Sequence, residues 1–135
     1  GSFSAGEHND CVAMAKQFAD RTHFVHLRSC YIFPNGNFTE ASHLGGRGHL
    51  IELCRIFEKA EQEGKCNSGR RLPMRVDHGM TFTDEPGGVF DESNHGHNAG
   101  YTLLGRMFAM GQIQGVIATV DDELGIEYKQ PGFYD

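Results

Sequence analysis

Two short strand-like segments, each followed by a polar loop, constrain the fold of this chain more than any other feature. Residues 22–28 alternate apolar and ionisable side chains, and residues 72–77 also end in ionisable groups. Helical patterns precede, separate and follow the two segments. The resulting order of helix, strand, loop, helix, strand, loop and helix predicts an α/β fold with parallel strands.

Apolar residues at helical spacing define the first two helices. The first is predicted to follow a cap at Asn9 or Asp10 and to end near residue 20. The second is predicted over residues 47–63, with Gly64 as its C-terminal cap. Residues 29–46 between them are rich in Pro, Gly and Asn, which predicts a long loop.

A third helix is predicted from residue 100, after a second long loop over residues 78–98. Gly115 leaves its length open, and residues 116–120 are compatible with a strand by propensity. Large apolar side chains are expected in the core, namely Phe57, Leu104, Met107 and Phe108.

Two parallel strands are too few for a stable sheet, because such a pair has open edges and must be covered on both faces. The 135 residues are therefore predicted to be one segment, residues 1–135, of a larger α/β domain. This segment is expected to supply two strands with their flanking helices.

The charge and cysteine content limit the classes of partner. A net charge of -6 and a pI near 5.7 argue against a nucleic-acid surface. An apolar run approaching the ~20 residues that span a bilayer is not found, and a secretion signal is not found either, so a cytoplasmic protein without a membrane partner is expected. The four cysteines lack metal or redox spacing and are predicted to be reduced thiols.

The strand ends carry the chemistry. His26 and Arg28 lie two residues apart, as do Arg75 and Asp77, so each pair points to one side of its strand. His78 follows directly. An imidazole and a carboxylate suit Mn²⁺ or Fe²⁺, and an arginine can bind a substrate carboxylate through two hydrogen bonds. The pattern alone favours a hydrogen-bonded core histidine and a structural ion pair over a functional site.

Several ordered motifs resemble one family. Residues 74–79 read M-R-V-D-H-G and are similar to the M-R-P-D-H-G stretch of mannonate dehydratases. Residues 23–28 resemble that family's H-F-x-H-L-R strand, and residues 38–46 its F-x-E-x-x-H-L-G-G loop. Residues 98–101 and 105–106 resemble its N-P-G-Y and G-R elements. The resemblance covers nearly the whole chain.

This resemblance implies a TIM-type (β/α)8 barrel, similar to xylose isomerase, of which the chain would be the C-terminal part with the last two strands. It also implies metal-dependent removal of water from D-mannonate to give 2-keto-3-deoxy-D-gluconate in hexuronate catabolism, with Mn²⁺ or Fe²⁺ as cofactor. By motif it assigns metal ligands His26 and Asp77, proton-transfer groups His78 and Tyr101, and substrate contacts Arg75, His43 and Arg28.

The departures from the family pattern are informative. The family's cysteine ligand precedes a G-S pair, and this chain begins at Gly1-Ser2; a further histidine ligand from an earlier strand is also missing. Val76 and Ala99 stand where the family has proline. We therefore expect an incomplete site that is inactive alone and needs the rest of the barrel or another copy of the chain. A related barrel sugar isomerase and a non-catalytic oligomerising remnant are the alternatives.

Overall fold

The computed structural model describes residues 9–36, 38–66, 71–80 and 103–127. The elements in chain order are α1 (Cys11–Phe18), a 3-10 turn (Ala19–Arg21), β1 (Val25–Leu27), β2 (Cys30–Ile32), β3 (Phe38–Glu40), α2 (Leu50–Gln62), β4 (Met74–Val76) and α3 (Leu103–Leu124). This mixture of helices and strands is compatible with the predicted α/β class.

The two strands predicted from sequence pair with each other in parallel. In β1 and β4, Val25 aligns with Met74, His26 with Arg75 and Leu27 with Val76. Val25, Leu27 and Val76 are buried in the main hydrophobic core, whereas His26 is exposed. The alternation therefore has the predicted consequence, with apolar side chains on the covered face and ionisable ones on the other.

The prediction of a structureless loop over residues 29–46 is wrong in part. β2 and β3 form an antiparallel hairpin, in which Cys30 faces Glu40. Gly36 turns the chain with a φ of 87°, and its N–H donates to Phe33 O at 2.9 Å. The abundant turn residues of this segment thus connect two short strands, and the hairpin returns Glu40 to the end of β1.

The predicted helix ends in the first half of the chain are mostly confirmed. Asp10 caps α1 by accepting from the backbone N–H of Ala13 at 2.9 Å. Gly64, with a φ of 66°, follows the end of α2 and donates to Glu61 O. The start of α2 is later than predicted, at Leu50, because His49 is in the left-handed conformation with a φ of 49° and the N–H of Arg47 donates to Cys30 O at 3.1 Å.

Helix α3 runs without interruption over 22 residues, so the alternative of a strand at residues 116–120 is wrong. Its buried residues are Asp121 and a set of small or β-branched residues, namely Gly105, Ala109, Ile113, Val116 and Val120. The core assignment of Leu104, Met107 and Phe108 is also wrong, since all three are exposed; Phe57 is buried as predicted. Among the buried residues, Gly105 is where the backbone of Gly79 approaches α3 most closely.

By length and composition, α3 could cross a bilayer, with a mean hydropathy of 1.2 over its most apolar stretch. This differs from the sequence-based expectation, which did not treat the third helix as one long element. A helix that is mostly buried in a protein core passes the same test; α3 packs along α2 and β4, with 22% of that stretch buried. We make no membrane assignment from it.

A buried polar cluster joins α2, α3 and the segment before β4. Arg71 Nη2 lies 3.4 Å from Asp121 Oδ2 and 3.8 Å from Glu58 Oε2. Asp121 is fully buried and Glu58 nearly so. Burial and the neighbouring Asp121 carboxylate raise the pKa of Glu58 to about 7. The structure thus holds a carboxyl pair and one arginine between its two longest helices.

Candidate active site at the carboxyl ends of the parallel strands

The candidate site begins where the two parallel strands end. His26 Nδ1 lies 3.8 Å from Asp77 Oδ1, and their side chains are 47% and 24% exposed. The parallel register causes this approach, because His26 aligns with Arg75 and Asp77 is the next residue on the same face. The structure therefore brings together the imidazole and the carboxylate that the sequence pattern singled out.

The carbonyl of Leu27 fixes this end of the sheet. It accepts one hydrogen bond from the backbone N–H of Asp77 at 3.0 Å and another from His43 Nε2 at 2.9 Å. Since a carbonyl only accepts, His43 must be protonated at Nε2. The His43 ring is buried, and its backbone N–H donates to Gln112 Oε1 on α3. His43 thus ties the hairpin, β1 and α3 together beneath the site.

Glu40, at the end of the hairpin, holds Arg28. Arg28 Nε donates to Glu40 Oε1 at 3.1 Å and to Oε2 at 3.3 Å, and Arg28 Nη2 contacts Oε1 as well. Burial disfavours the charge on Arg28, but the hydrogen bond and charge of Glu40 raise its pKa. The guanidinium also lies over the ring of Phe38, 5.3 Å from its centroid.

Cys30 lies beside the same carboxylate, with its Sγ 3.9 Å from Glu40 Oε2. Burial, followed by the charge of Glu40, raises the pKa of Cys30 to about 12. Cys30 is therefore a protonated thiol that can donate weakly to Glu40, and it is a poor nucleophile. All four cysteines are free, in agreement with the expected reduced thiols.

His78 lies between the carboxylates of Glu40 and Asp77. Its Nδ1 is 3.7 Å from Glu40 Oε1, and its Nε2 is 3.9 Å from Asp77 Oδ2. The ring is almost fully buried, with only 9% of the side chain exposed. Each ring nitrogen thus faces one carboxylate at a distance longer than a hydrogen bond.

Two glycines bring α3 close to this end of β4. A Cβ added to Gly79 would lie 2.4 Å from the backbone C and O atoms of Gly105. Only glycine fits at such a distance, since side-chain carbons do not approach backbone that closely. The first turn of α3 therefore packs directly on the residue after His78, and this contact limits the positions that His78 can adopt.

A cleft of about 570 Å³ adjoins the site. His26, Arg28 and Asp77 supply charged or polar groups to its lining, and α1 supplies apolar side chains such as Met14 and Phe18. A largely apolar cleft with a few converging polar groups is typical of small-molecule sites. The cleft is large enough for a six-carbon sugar acid.

Of the other residues predicted for substrate binding or proton transfer, the structure describes some and not others. Arg75 is exposed and aligns with His26 across the strand pair, on the face that carries Asp77. Tyr101 lies outside the described residues. The substrate roles of Arg75, Arg28 and His43 stay predictions.

His26 and Asp77 suit a divalent cation in donor type, because imidazole and carboxylate both bind Mn²⁺ and Fe²⁺. Across residues 9–36, 38–66, 71–80 and 103–127, a cluster of three or more potential metal ligands is not found. The donors are thus of the right chemistry for a metal but form a partial set within the described residues.

Sequence reasoning gave no role to Glu40. Its signal was present, because Glu40 is the acidic residue of the F-x-E-x-x-H-L-G-G pattern at residues 38–46. Because the Gly-rich segment was predicted to be a loop, an acidic residue within it was expected to be exposed to solvent. The hairpin changes this interpretation, since it buries Glu40 beside Arg28 and His78.

Polar groups at the carboxyl ends of parallel strands, beside an open cleft, are typical of α/β enzymes. The family model of D-mannonate dehydratase (UxuA) matches residues 1–126. Mannonate dehydratase 2 of Agrobacterium fabrum is 37% identical over 126 residues, which are 92% of this chain and 30% of that protein. Mannonate dehydratases of Saccharophagus degradans and Brucella canis are 35% and 32% identical, each over 90% of this chain and over 30% and 28% of their own lengths.

The chain belongs to the D-mannonate dehydratase family. This family consists of carbon–oxygen lyases, in agreement with the resemblance described from the motifs. The chain spans about 30% of the length of the curated relatives it matches.

Proposed function

We propose that this chain supplies part of the active site of a metal-dependent D-mannonate dehydratase, which removes water from D-mannonate to give 2-keto-3-deoxy-D-gluconate. The observation that carries the proposal is the 3.8 Å approach of His26 Nδ1 to Asp77 Oδ1 beside an open cleft. Two residues that are far apart in the sequence converge there because the strands are parallel. Neither residue forms part of the hydrophobic core, so packing alone does not account for the pair.

In this proposal the chain binds and orients the substrate and transfers protons to and from it. Arg75, on the face that carries Asp77, would bind the substrate carboxylate. His78 would be one proton-transfer group and Tyr101 the other, one removing the proton alpha to the carboxylate and one protonating the departing hydroxyl. The burial of His78 between two carboxylates gives it a fixed orientation that a surface histidine lacks.

His26 and Asp77 would hold the divalent cation, which we propose to be Mn²⁺ or Fe²⁺. When bound, such a cation stabilises the negative charge that develops as the alpha proton leaves. Because the two residues are only a partial ligand set, the 135-residue chain is expected to bind the metal weakly and to be inactive by itself. The remaining ligands would come from the rest of a (β/α)8 barrel or from another copy.

The exposed surface of α3 supports association of this kind. Leu103, Leu104 and Met107 are 73%, 57% and 60% exposed, and Phe108 and Met110 are exposed beside them. An apolar patch on this scale is typical of a surface that another polypeptide covers. We propose that the rest of a (β/α)8 barrel or a second copy covers it.

The test uses the complete gene product that contains this chain, together with the isolated chain. With Mn²⁺ and D-mannonate, the complete product is expected to form a 2-keto-3-deoxy acid, measured with a colorimetric 2-keto-3-deoxy-acid assay and by mass loss of one water. The isolated chain is expected to form none. Robust turnover by the isolated chain would show that a second set of ligands is unnecessary.

The same assay separates the alternatives. A sugar isomerase would convert an aldose to a ketose with no change in mass. A non-catalytic remnant would leave every sugar acid unchanged while still associating through α3, as measured by light scattering. Either result with the complete gene product would contradict the dehydratase assignment.

A further inference from the structure

The carbonyl of Leu27 lies at the carboxyl end of the parallel strand pair, and through it β1 holds Asp77. It accepts from the backbone N–H of Asp77 at 3.0 Å, and Leu27 directly follows His26 in β1. One hydrogen bond therefore links the chain positions of the two proposed metal ligands. A hydrogen bond at the end of a two-stranded pair opens readily, so the approach of His26 to Asp77 needs further support.

His43 supplies a second donor to the same carbonyl. Its Nε2 donates to Leu27 O at 2.9 Å, and only 2% of the residue is exposed. Because a carbonyl oxygen has two lone pairs, the N–H of Asp77 and the imidazole together use its full capacity. The buried ring also keeps water away from the oxygen. The end of the strand pair is therefore held by a side chain that belongs to neither strand.

The backbone of His43 is held separately from its ring. Its N–H donates to Gln112 Oε1 on α3 at 3.0 Å, and Gln112 Nε2 donates to Ser42 Oγ at 2.8 Å. The turn that follows is closed by the N–H of Gly46, which donates to Ser42 O at 2.9 Å. Helix α3 and this turn thus direct the ring toward Leu27, and both lie outside the strand pair.

We infer that His43 is a positioning residue, which holds Asp77 against β1 through the Leu27 carbonyl and so maintains the approach of His26 to Asp77. The inference rests on the proposed dehydratase function, because it concerns the two residues proposed there to hold the cation. It gives His43 a different role from the substrate contact that the family resemblance implies. A substrate contact does not account for the ring, since its Nε2 bonds the backbone and its Nδ1 is buried.

A histidine that only fills space in the core would behave differently on substitution. His43 Nδ1 is buried without a hydrogen-bond partner among the residues that the structure describes, and a buried acceptor without a partner destabilises the fold. His43→Phe removes both ring nitrogens and keeps a planar ring, whereas His43→Gln can keep an N–H near the position of Nε2. Packing alone therefore favours the Phe variant, and positioning favours the Gln variant.

The first measurement is hydrogen exchange at the amide of Asp77, in the complete gene product that contains this chain and without metal. His43→Phe is expected to speed this exchange about 10-fold, because the Leu27 carbonyl then keeps only one donor and the end of the strand pair opens more often. His43→Gln is expected to stay within about threefold of the wild type. The amide of Val25, which donates to Pro73 O at the other end of the strand pair, is the internal control and should be unchanged.

The second measurement is the Mn²⁺ affinity of the same proteins by calorimetric titration. His43→Phe is expected to weaken binding about 10-fold, as for other groups that orient metal ligands, and His43→Gln is expected to restore most of the loss. Gln112→Met removes the acceptor of the His43 N–H and is expected to change Asp77 exchange and Mn²⁺ affinity in the same directions, each by about threefold.

The two measurements separate failure of this inference from failure of the proposed function. A folded His43→Phe variant with wild-type exchange at Asp77, or Phe and Gln variants that exchange equally, would overturn the positioning role. If His43→Phe does not fold, Gln112→Met decides, and unchanged exchange at Asp77 in that variant overturns the inference. A complete gene product that binds no Mn²⁺ would contradict the proposed function, while exchange at Asp77 would still report whether His43 holds the strand pair.

Discussion

Arg28 with Glu40 and Arg71 with Asp121 are both arginine–carboxylate pairs, and they lie in different parts of the fold. The first pair follows β1 and adjoins the cleft with His26 and Asp77. The second joins the segment before β4 to α3, where Asp121 is fully buried beside Glu58. We call the first the open cluster, because it borders the cleft and includes His26 and His78, and the second the closed cluster, because its carboxylates Asp121 and Glu58 are buried.

The difference has a physical reason. In the second cluster the carboxylates of Asp121 and Glu58 are buried between α2 and α3, although the Arg71 side chain is 46% exposed, so we expect this cluster to contribute mainly to stability. The first cluster lies at the carboxyl ends of the strands, where long connections leave space for a ligand. Similar ion pairs can therefore have separate roles, and substitutions at the two places should affect different measured quantities.

The largest expected effect is at the open cluster. Asp77→Asn in the complete gene product removes the carboxylate that we propose as a metal ligand, and we expect turnover to fall by about 10³-fold or more with weakened Mn²⁺ binding. The free energy of unfolding should change by less than about 1 kcal/mol, because Asp77 is partly exposed. Turnover and calorimetric Mn²⁺ titration measure this; Asp122→Asn, an exposed change on α3, is the control. Normal activity in Asp77→Asn would remove the distinction between the two clusters.

The next effect concerns the contact that holds the open cluster against α3. Gly79→Ala places a Cβ where Gly105 backbone lies 2.4 Å away, so we expect a loss of about 3 kcal/mol of stability or a displaced His78. Gly111→Ala is the control, since open space surrounds it, and it should stabilise α3 by up to about 1 kcal/mol. Chemical denaturation of both variants measures this. Equal stabilities for the two would mean that the α3 contact does not constrain the site.

Much of this arrangement could be predicted from the sequence. Alternation in residues 22–28 gave the buried and exposed faces of β1, and the parallel order followed from the helix between the strands. Once the register of β1 against β4 is known, it follows that His26 and Asp77 lie close together. These features are local or follow from one topological rule, so a single sequence carries them.

The hairpin and the rotation of α3 were not predicted, for different reasons. Strands of three residues flanked by turn residues give too little pattern to separate from a loop, so Glu40 was left without a role. In α3, apolar residues occur on more than one side, and the choice between them depends on the close contact of Gly105 with Gly79. That contact joins residues distant in sequence, which periodicity cannot detect.

The closed cluster can be tested by removing its only described cation. Arg71→Met leaves two buried carboxyl groups without their arginine, and we expect a loss of about 2 kcal/mol in the free energy of unfolding, because unpaired buried charge is costly. Arg55→Met breaks the exposed pair with Glu123 and should cost less than about 1 kcal/mol. Urea denaturation compares the two. Similar losses would indicate that burial of the cluster has no energetic consequence.

A pH dependence of similar size is expected at the same cluster. Glu58 has a pKa of about 7 in the folded chain, above its unfolded value of ~4.3, so the folded state binds the proton more tightly. The resulting stabilisation is complete below about pH 4.3 and is lost as the pH rises through about 7. We therefore expect the wild type to lose up to about 2 kcal/mol from this source between pH 5 and pH 8.

Glu58→Gln separates this contribution from all other titrations, because glutamine resembles the protonated acid at every pH. It can donate an N–H to Asp121, whose buried Oδ1 accepts no hydrogen bond within the described part of the chain. Asp121, Arg71 and Glu61 are the charged groups that face Glu58, and all remain in the variant. We expect the variant to match the wild type near pH 5 and to exceed its stability near pH 8, as measured by urea denaturation at each pH, with Glu52→Gln as control. Parallel curves for wild type and Glu58→Gln would mean that the carboxyl pair does not retain a proton.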